Sequence, residues 1–235
     1  YDPGEVLRLA MRVQQFTGPV MAKSVEDTLF YRHARLLALN EVGGDPEHWG
    51  IGLDGFHAAS AERHRRCPHQ LLATATHDHK RGADARLRIA AISECPAEWD
   101  AAVQRWTVLN AGNRRDFDGR TAPGRNDEYF FYQALLGAWP LDGQAGLGEL
   151  AERMVAYMRK AVRESKHRSS WALPDVLYET ALERFIRRSL DPAVAVQFLA
   201  DFAGFVAKLA PAAALHGLSH ALLAATAPGV PDLYQ

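Results

Sequence analysis

Between Thr76 and Arg81 the chain gathers a run of titratable side chains, His77-Asp78-His79-Lys80-Arg81. It follows an apolar, extension-favouring stretch, Leu71 to Thr76, with the composition of a short strand buried on both faces. Parallel α/β architectures place their active sites where such strands end. Three readings are open to the run. A His-Asp pair there can hydrogen-bond adjacent sugar hydroxyls, and an ionised Asp78 can favour the positive charge that builds on a sugar ring during glycosyl transfer. His77 and His79 could share a metal, but alternate strand residues point to opposite faces, and no other Cys, His or Glu cluster lies near in sequence. The third reading is a solvated strand end with a helix cap, because charged residues are common in loops. A second polar cluster comprises Lys23, Glu26, Asp27, Tyr31 and Arg32. Its carboxylates also suit a helix N-terminus. Trp139, Trp171 and Tyr178 are candidate sugar-stacking platforms, although aromatics at helical spacing are usually core.

These groups must be positioned by helices and two short strands. Asp2-Pro3-Gly4 opens a helix that Thr17-Gly18-Pro19 ends, and another is expected over about Glu26 to Leu39, with the loop Asn40 to Pro46 after it. A helix over Phe56 to Arg66 precedes the Leu71 strand. Beyond Gly82 the period is helical, with Ala85, Ile89 and Ile92 on one face, and no alternation of period two is evident over residues 83–226. Helices are predicted over Ala97–Asn110, Asp127–Trp139, Leu147–Arg163, Asp175–Leu190, Pro192–Leu209 and Leu215–Thr226, and an exposed loop over Arg114–Arg125. Val230 to Tyr234 reads as a closing strand. The helical excursion between the strands far exceeds the ~10 to 12 residues of a βαβ crossover. It therefore reads as an insertion carried on a barrel or open sheet.

With 235 residues, 48% hydrophobic and 23% charged, the chain can bury one or two cores. A net charge of -1 gives no field for gathering nucleic acid. Cys67 and Cys95 lack metal or disulfide spacing and read as free thiols. No apolar run approaches the ~20 residues of a membrane span and no signal-peptide order is present. A cytoplasmic protein with no membrane partner is expected. Tyr1 in place of an initiator, and a strand just starting at the end, suggest a piece of something longer.

The pieces GPVMAKSVEDTLFYR, LNEVGGDP, PHQLLATATHDHKR, RNDEYFFYQALLGAWP, SWALPDVLYE and APGVPDLYQ together resemble the maltooligosyltrehalose synthase family of glycoside hydrolase family 13, the α-amylase superfamily. The resemblance extends over essentially the whole chain, with MAKSVEDT and THDHKR its most specific parts. It implies a mainly α chain made of a fragment of a (β/α)8 barrel, its seventh strand and the start of its eighth, with a large helical insertion between them. Residues 1–82 would be barrel-derived, 83–212 the insertion, and 213–235 the last barrel helix and final strand. Asp78 would be the catalytic carboxylate that stabilises the transition state. His77, Lys80, Arg81, Lys23, Glu26 and Asp27 would bind substrate, a maltooligosaccharide, with no cofactor and no metal. The family usually has Thr or Ser where His79 stands. Its nucleophile and acid/base lie on earlier strands, so the remaining N-terminal part of the same enzyme would be a partner and this chain alone would be inactive. Two alternatives are a helical carbohydrate-binding or interaction module and another hydrolase or transferase of the superfamily.

Overall fold

Apolar residues at steps of three and four build most of this chain, as a computed structural model shows for residues 2–117, 119–140 and 146–232. Eight α-helices are described: α1 Pro3–Val20, α2 Leu53–Arg66, α3 Ala83–Ala90, α4 Pro96–Leu109, α5 Arg125–Ala138, α6 Leu147–Ser165, α7 Val176–Ser189 and α8 Val196–Thr226. Four three-residue strands accompany them: β1 Leu71–Ala73, β2 Arg115–Phe117, β3 Arg120–Ala122 and β4 Val230–Asp232. The main core lies among α3 to α8. Leu150, Met154, Met158 and Val162 of α6 are buried, as are Leu182, Phe185 and Ile186 of α7. These are the apolar faces that the sequence periodicity marks. Trp106 is the centre of the aromatic part, with Phe202 at 4.7 Å between ring centroids and Tyr132, Phe198 and Phe205 around it. Its indole N–H is satisfied by Asp201 Oδ2 at 2.6 Å, which such burial requires. Trp139 and Tyr178 belong to this core and are no stacking platforms. Trp171 is exposed, with the Arg163 guanidinium 4.9 Å above its ring.

Several local expectations are corrected. Helix α1 runs through Thr17-Gly18-Pro19 and widens into a π-helical turn over Met21–Glu26. A proline removes one backbone bond without stopping a helix that its neighbours favour, and the wider turn continues the chain. The helix expected over Glu26 to Leu39 is instead two 3-10 turns, Leu29–Tyr31 and Leu37–Leu39. Side chains take the bonds that a helix would have made. Asn40 Nδ2 donates to the Phe30 and His33 carbonyls, while Gln133 accepts from Leu37 N–H at 2.8 Å and donates to the Ala34 carbonyl at 2.7 Å.

The loop expected over Arg114–Arg125 contains the hairpin β2–β3, registered Arg115 to Ala122 and pinned by Thr121 Oγ1 donating to Asp116 Oδ1 at 2.6 Å. The two final helices are one, α8, because Pro211 does not break it. Reading it as two helices also hid its length: α8 is long and apolar enough by composition to cross a membrane, but its first half, with Phe198, Phe202 and Phe205, is core.

Strand β1 is not buried on both faces. Leu71 is 63% exposed, since the only neighbour of β1 among the described residues is β4. The pair is parallel, with Leu71 opposite Val230 and Ala73 opposite Asp232. Gly229 makes it feasible. Its φ of +140° and the 2.7 Å from a hypothetical Cβ to Leu72 Cγ leave no room for a side chain. Leu233 and Tyr234, expected in this strand, lie outside the described residues.

Candidate functional site

Beyond β1 the backbone turns twice before α3, and side chains from two distant segments hold that turn. Within it, Thr76 N–H donates to His79 Nδ1 at 2.9 Å, the Thr76 hydroxyl lies the same distance from that nitrogen, and Asp78 N–H donates to Thr76 Oγ1 at 3.3 Å. His79 thus closes the turn on itself. His77 and Asp78 are left at the surface, with Nε2 to Oδ2 at 3.4 Å and both side chains more than two-thirds exposed. Local bonding therefore fixes the backbone and leaves the His-Asp pair open to an incoming molecule. Among the described residues no three His, Cys, Asp or Glu side chains gather as a metal site, and His79 Nδ1 is engaged with Thr76.

The second cluster meets the first on Asp27. Lys80 Nζ donates to Asp27 Oδ1 at 2.9 Å and Lys23 Nζ to Oδ2 at 2.5 Å, so one carboxylate takes a cation on each oxygen. The lysines are not equivalent: the Lys80 side chain is 11% exposed and that of Lys23 71%. Burial acts to raise the Asp27 pKa, but the bonds and charges of Lys23 and Lys80 outweigh it and hold the carboxyl below its ordinary value. Lys23 is raised in turn, first by its bond to Asp27, with a smaller contribution from Asp78. Asp78 lies two residues before Lys80 in the same turn. Glu26 points elsewhere in the same region, accepting from Gly43 N–H at 3.3 Å.

Arg81 faces inward. Its guanidinium donates to the Leu37 and Asn40 carbonyls at 3.2 and 3.3 Å and to Tyr157 Oη at 2.9 Å, and it sits 5.7 Å from the Phe130 ring centre. Burial pushes the Tyr157 phenol up, partly offset by Arg81, and likewise raises Tyr31. Both phenols stay neutral hydrogen-bonding groups. Behind the turn a cleft of about 670 Å³ is lined by Thr76, His77, His79, Asp84, Leu87 and His220.

The arrangement offers an exposed carboxylate beside an imidazole, in a turn whose Lys80 shares an anion with a second ammonium group. Groups of these types can hydrogen-bond hydroxyls and stabilise developing positive charge. No family model matches the chain. Curated relatives do. The putative maltooligosyl trehalose synthase of Mycobacterium tuberculosis, strain ATCC 25618 / H37Rv, is 37% identical over 226 residues, 96% of this chain. The same protein of strain CDC 1551 / Oshkosh matches to the same extent. Among solved structures, maltooligosyltrehalose synthase from Arthrobacter ramosus shares 35% identity at a TM-score of 0.80, covering 96% of this chain and 27% of that one. A hypothetical maltooligosyl trehalose synthase of Sulfolobus tokodaii gives 35% and 0.81, over 96% and 29%.

The chain is a relative of the maltooligosyl trehalose synthases. It spans 28% of the length of the curated synthases it matches.

Of the residues singled out from sequence, the structure joins Lys23, Asp27 and Lys80 directly, leaves His77 and Asp78 exposed in the turn that carries Lys80, hangs Glu26 on the Gly43 backbone and turns Arg81 into the interior. Sequence reasoning missed Asn40, Glu41 and Tyr157, the groups that support the turn from beneath. Asn40 and Glu41 lie in LNEVGGDP, one of the pieces similar to the synthases, but their composition beside Gly-Gly and Pro says only loop. Tyr157 lies on the half-buried edge of α6, where an aromatic is indistinguishable from core.

Proposed function

We propose that this chain is part of an intramolecular transglycosylase that converts the reducing-end α-1,4 linkage of a maltooligosaccharide to an α,α-1,1 linkage, as in trehalose formation. In this reading β1 and β4 are adjacent strands of a (β/α)8 barrel, residues 83–212 are an insertion between them, and 213–235 return the chain to the barrel. One observation carries it. β1 and β4 pair in parallel although the whole helical excursion separates them, and the carboxyl end of β1 leads straight into the turn that bears Asp78.

A nucleophilic carboxylate on the rest of the enzyme would open the glycosidic bond to give a covalent glycosyl-enzyme, a second carboxyl group handing a proton to the departing glucose. The held glucose would then turn and attack through its anomeric hydroxyl, returning that proton. Retaining chemistry of this kind uses two carboxyl groups about 5 Å apart, and neither is assigned to this chain. Asp78 would stabilise the charge on the ring, with His77 on the same sugar. Lys23, Asp27, Lys80 and Glu26 would line the place of the turning glucose, and Arg81 would support them from within. Water must be kept out, since water at the intermediate yields free sugar. This chain alone is expected to be inactive.

The test is maltopentaose incubated with the longer enzyme, with its Asp78→Ala variant and with this chain. The expected outcome is loss of reducing ends with little free glucose for the enzyme, and no turnover for the other two. Net gain of reducing sugar would make the enzyme a hydrolase, and full activity in Asp78→Ala would remove Asp78 from the chemistry.

A further inference from the structure

We propose that Glu41 is a positioning residue that sets the turn carrying Asp78 and Lys80, an inference that rests on the functional reading above. Glu41 is 6% exposed, yet its partners are backbone N–H groups. Oε1 accepts from Lys80 N–H at 2.6 Å and from Val42 N–H at 3.0 Å, and Oε2 accepts from Arg81 N–H at 3.2 Å. The carboxylate thereby crosses some forty positions of chain to clamp the distal half of the turn. Thr76 and His79 hold only the proximal half, so Asp78 lies between two anchors, one local and one supplied by Glu41.

The clamp itself is stiff. Asn40 is tied to the carbonyls of Phe30 and His33. Gly44 N–H donates to the Glu41 carbonyl at 2.7 Å, and a Cβ at Gly44 would fall 2.8 Å from that same oxygen. Loop Asn40 to Gly44 is therefore folded tightly under the turn. N–H bonds to a carboxylate are roughly twice as strong as neutral ones, which suits a group whose task is to fix a backbone. Lys80 gains most: its amide is held by Glu41 and its ammonium by Asp27, so both ends of the residue are set before substrate arrives.

Glu41→Gln is the discriminating change. It keeps shape but replaces one acceptor oxygen by an NH2 group that must face a backbone N–H. In the longer enzyme kcat should fall by roughly 10- to 100-fold, the range that small misplacements of reacting groups produce, with KM within about threefold. Amide exchange at Lys80 and Arg81 should accelerate by at least about tenfold. Glu179→Gln is the structural control: that carboxylate is also buried, but it binds Arg163 and Ser169 away from the turn, so its loss should lower stability and leave kcat unchanged.

A Glu41→Gln enzyme with kcat and exchange both within about twofold of the parent overturns the proposal. Should Glu41→Gln fail to fold, Glu41→Asp decides instead, since its carboxylate falls one methylene short of Lys80, and parent-like kcat there is equally fatal. If the parent makes no non-reducing product, the transglycosylase reading fails, while the exchange rates at Lys80 and Arg81 still settle whether Glu41 holds the turn.

Discussion

Asp27 with its two lysines gives a prediction whose size follows from geometry. Removing one partner of a fully buried ion pair costs about 3–5 kcal/mol, mainly through the charge left behind. Here Asp27 is 25% exposed and Lys80 11%. Lys80→Met leaves Asp27 with Lys23 and partial solvent, which discounts the cost to about 1–2 kcal/mol. Asp27→Asn instead strands the ammonium of Lys80, the least exposed of the three groups, and should cost more, about 2–4 kcal/mol. Lys23→Met should have a small effect that high salt abolishes, because that side chain is in solvent. The order of damage is thus Asp27→Asn, then Lys80→Met, then Lys23→Met.

Equilibrium urea unfolding of the four proteins measures it, and a double-mutant cycle between Lys80→Met and Asp27→Asn should give a coupling of about 1–2 kcal/mol. The pH dependence adds a second check. The folded Asp27 pKa lies below its ordinary value of 3.8, so its contribution is present above that value and lost as pH falls through the folded one. The gap between parent and Asp27→Asn should therefore close in strong acid. A Lys80→Met protein less stable than Asp27→Asn, or a cycle with no coupling, would refute the assignment of the pair as a partly buried clamp.

Gly229→Ala should disrupt the β1–β4 pair, since φ is +140° and the added carbon would lie 2.8 Å from the Gln70 carbonyl oxygen. A loss of about 1–3 kcal/mol and fast exchange at Val230 N–H, now bonded to Gln70, are the readouts. His220 on α8 has its pKa lowered by burial first and by Arg86 second. Its contribution to stability is accordingly complete above the ordinary value of 6.5 and lost as pH falls through the folded value. His220→Gln should flatten that decline in urea midpoints between neutral pH and about pH 5, and an unchanged slope would clear His220 of it.

How far the fold was legible depended on what each segment contacts. Where a helix buries one face against several others, as α6 does through Met154 and Met158, spacing alone marks it. Where side chains from afar replace the backbone's own bonds, spacing misleads: Gln133 and Asn40 convert Leu29 to Leu39 from the expected helix into two 3-10 turns. Pro19 misled in the other direction, because it removes a single bond that a long helix survives. The polar half of the site stood out by composition: His77 to Arg81 are five titratable groups in a row, which have no place in a core, and Lys23, Glu26 and Asp27 fall within five residues of one another. Its supports did not. Glu41 and Tyr157 act through buried contacts with residues 39 and 76 positions away, and nothing local in the chain announces such partners.

Helix α8 has a mechanical meaning. Its 31 residues form a rod about 46 Å long, rooted at one end among Trp106, Phe198 and Phe202 and joined at the other, through Ala227-Pro228-Gly229, to β4. A break at Pro211 would have placed a joint between the aromatic body and the strand pair. The continuous rod instead makes α8 a strut, so any tilt of the aromatic body is delivered to β4 and, through the register with β1, to the base of the turn bearing Asp78. A label on the exposed Leu215 would therefore report on both ends at once.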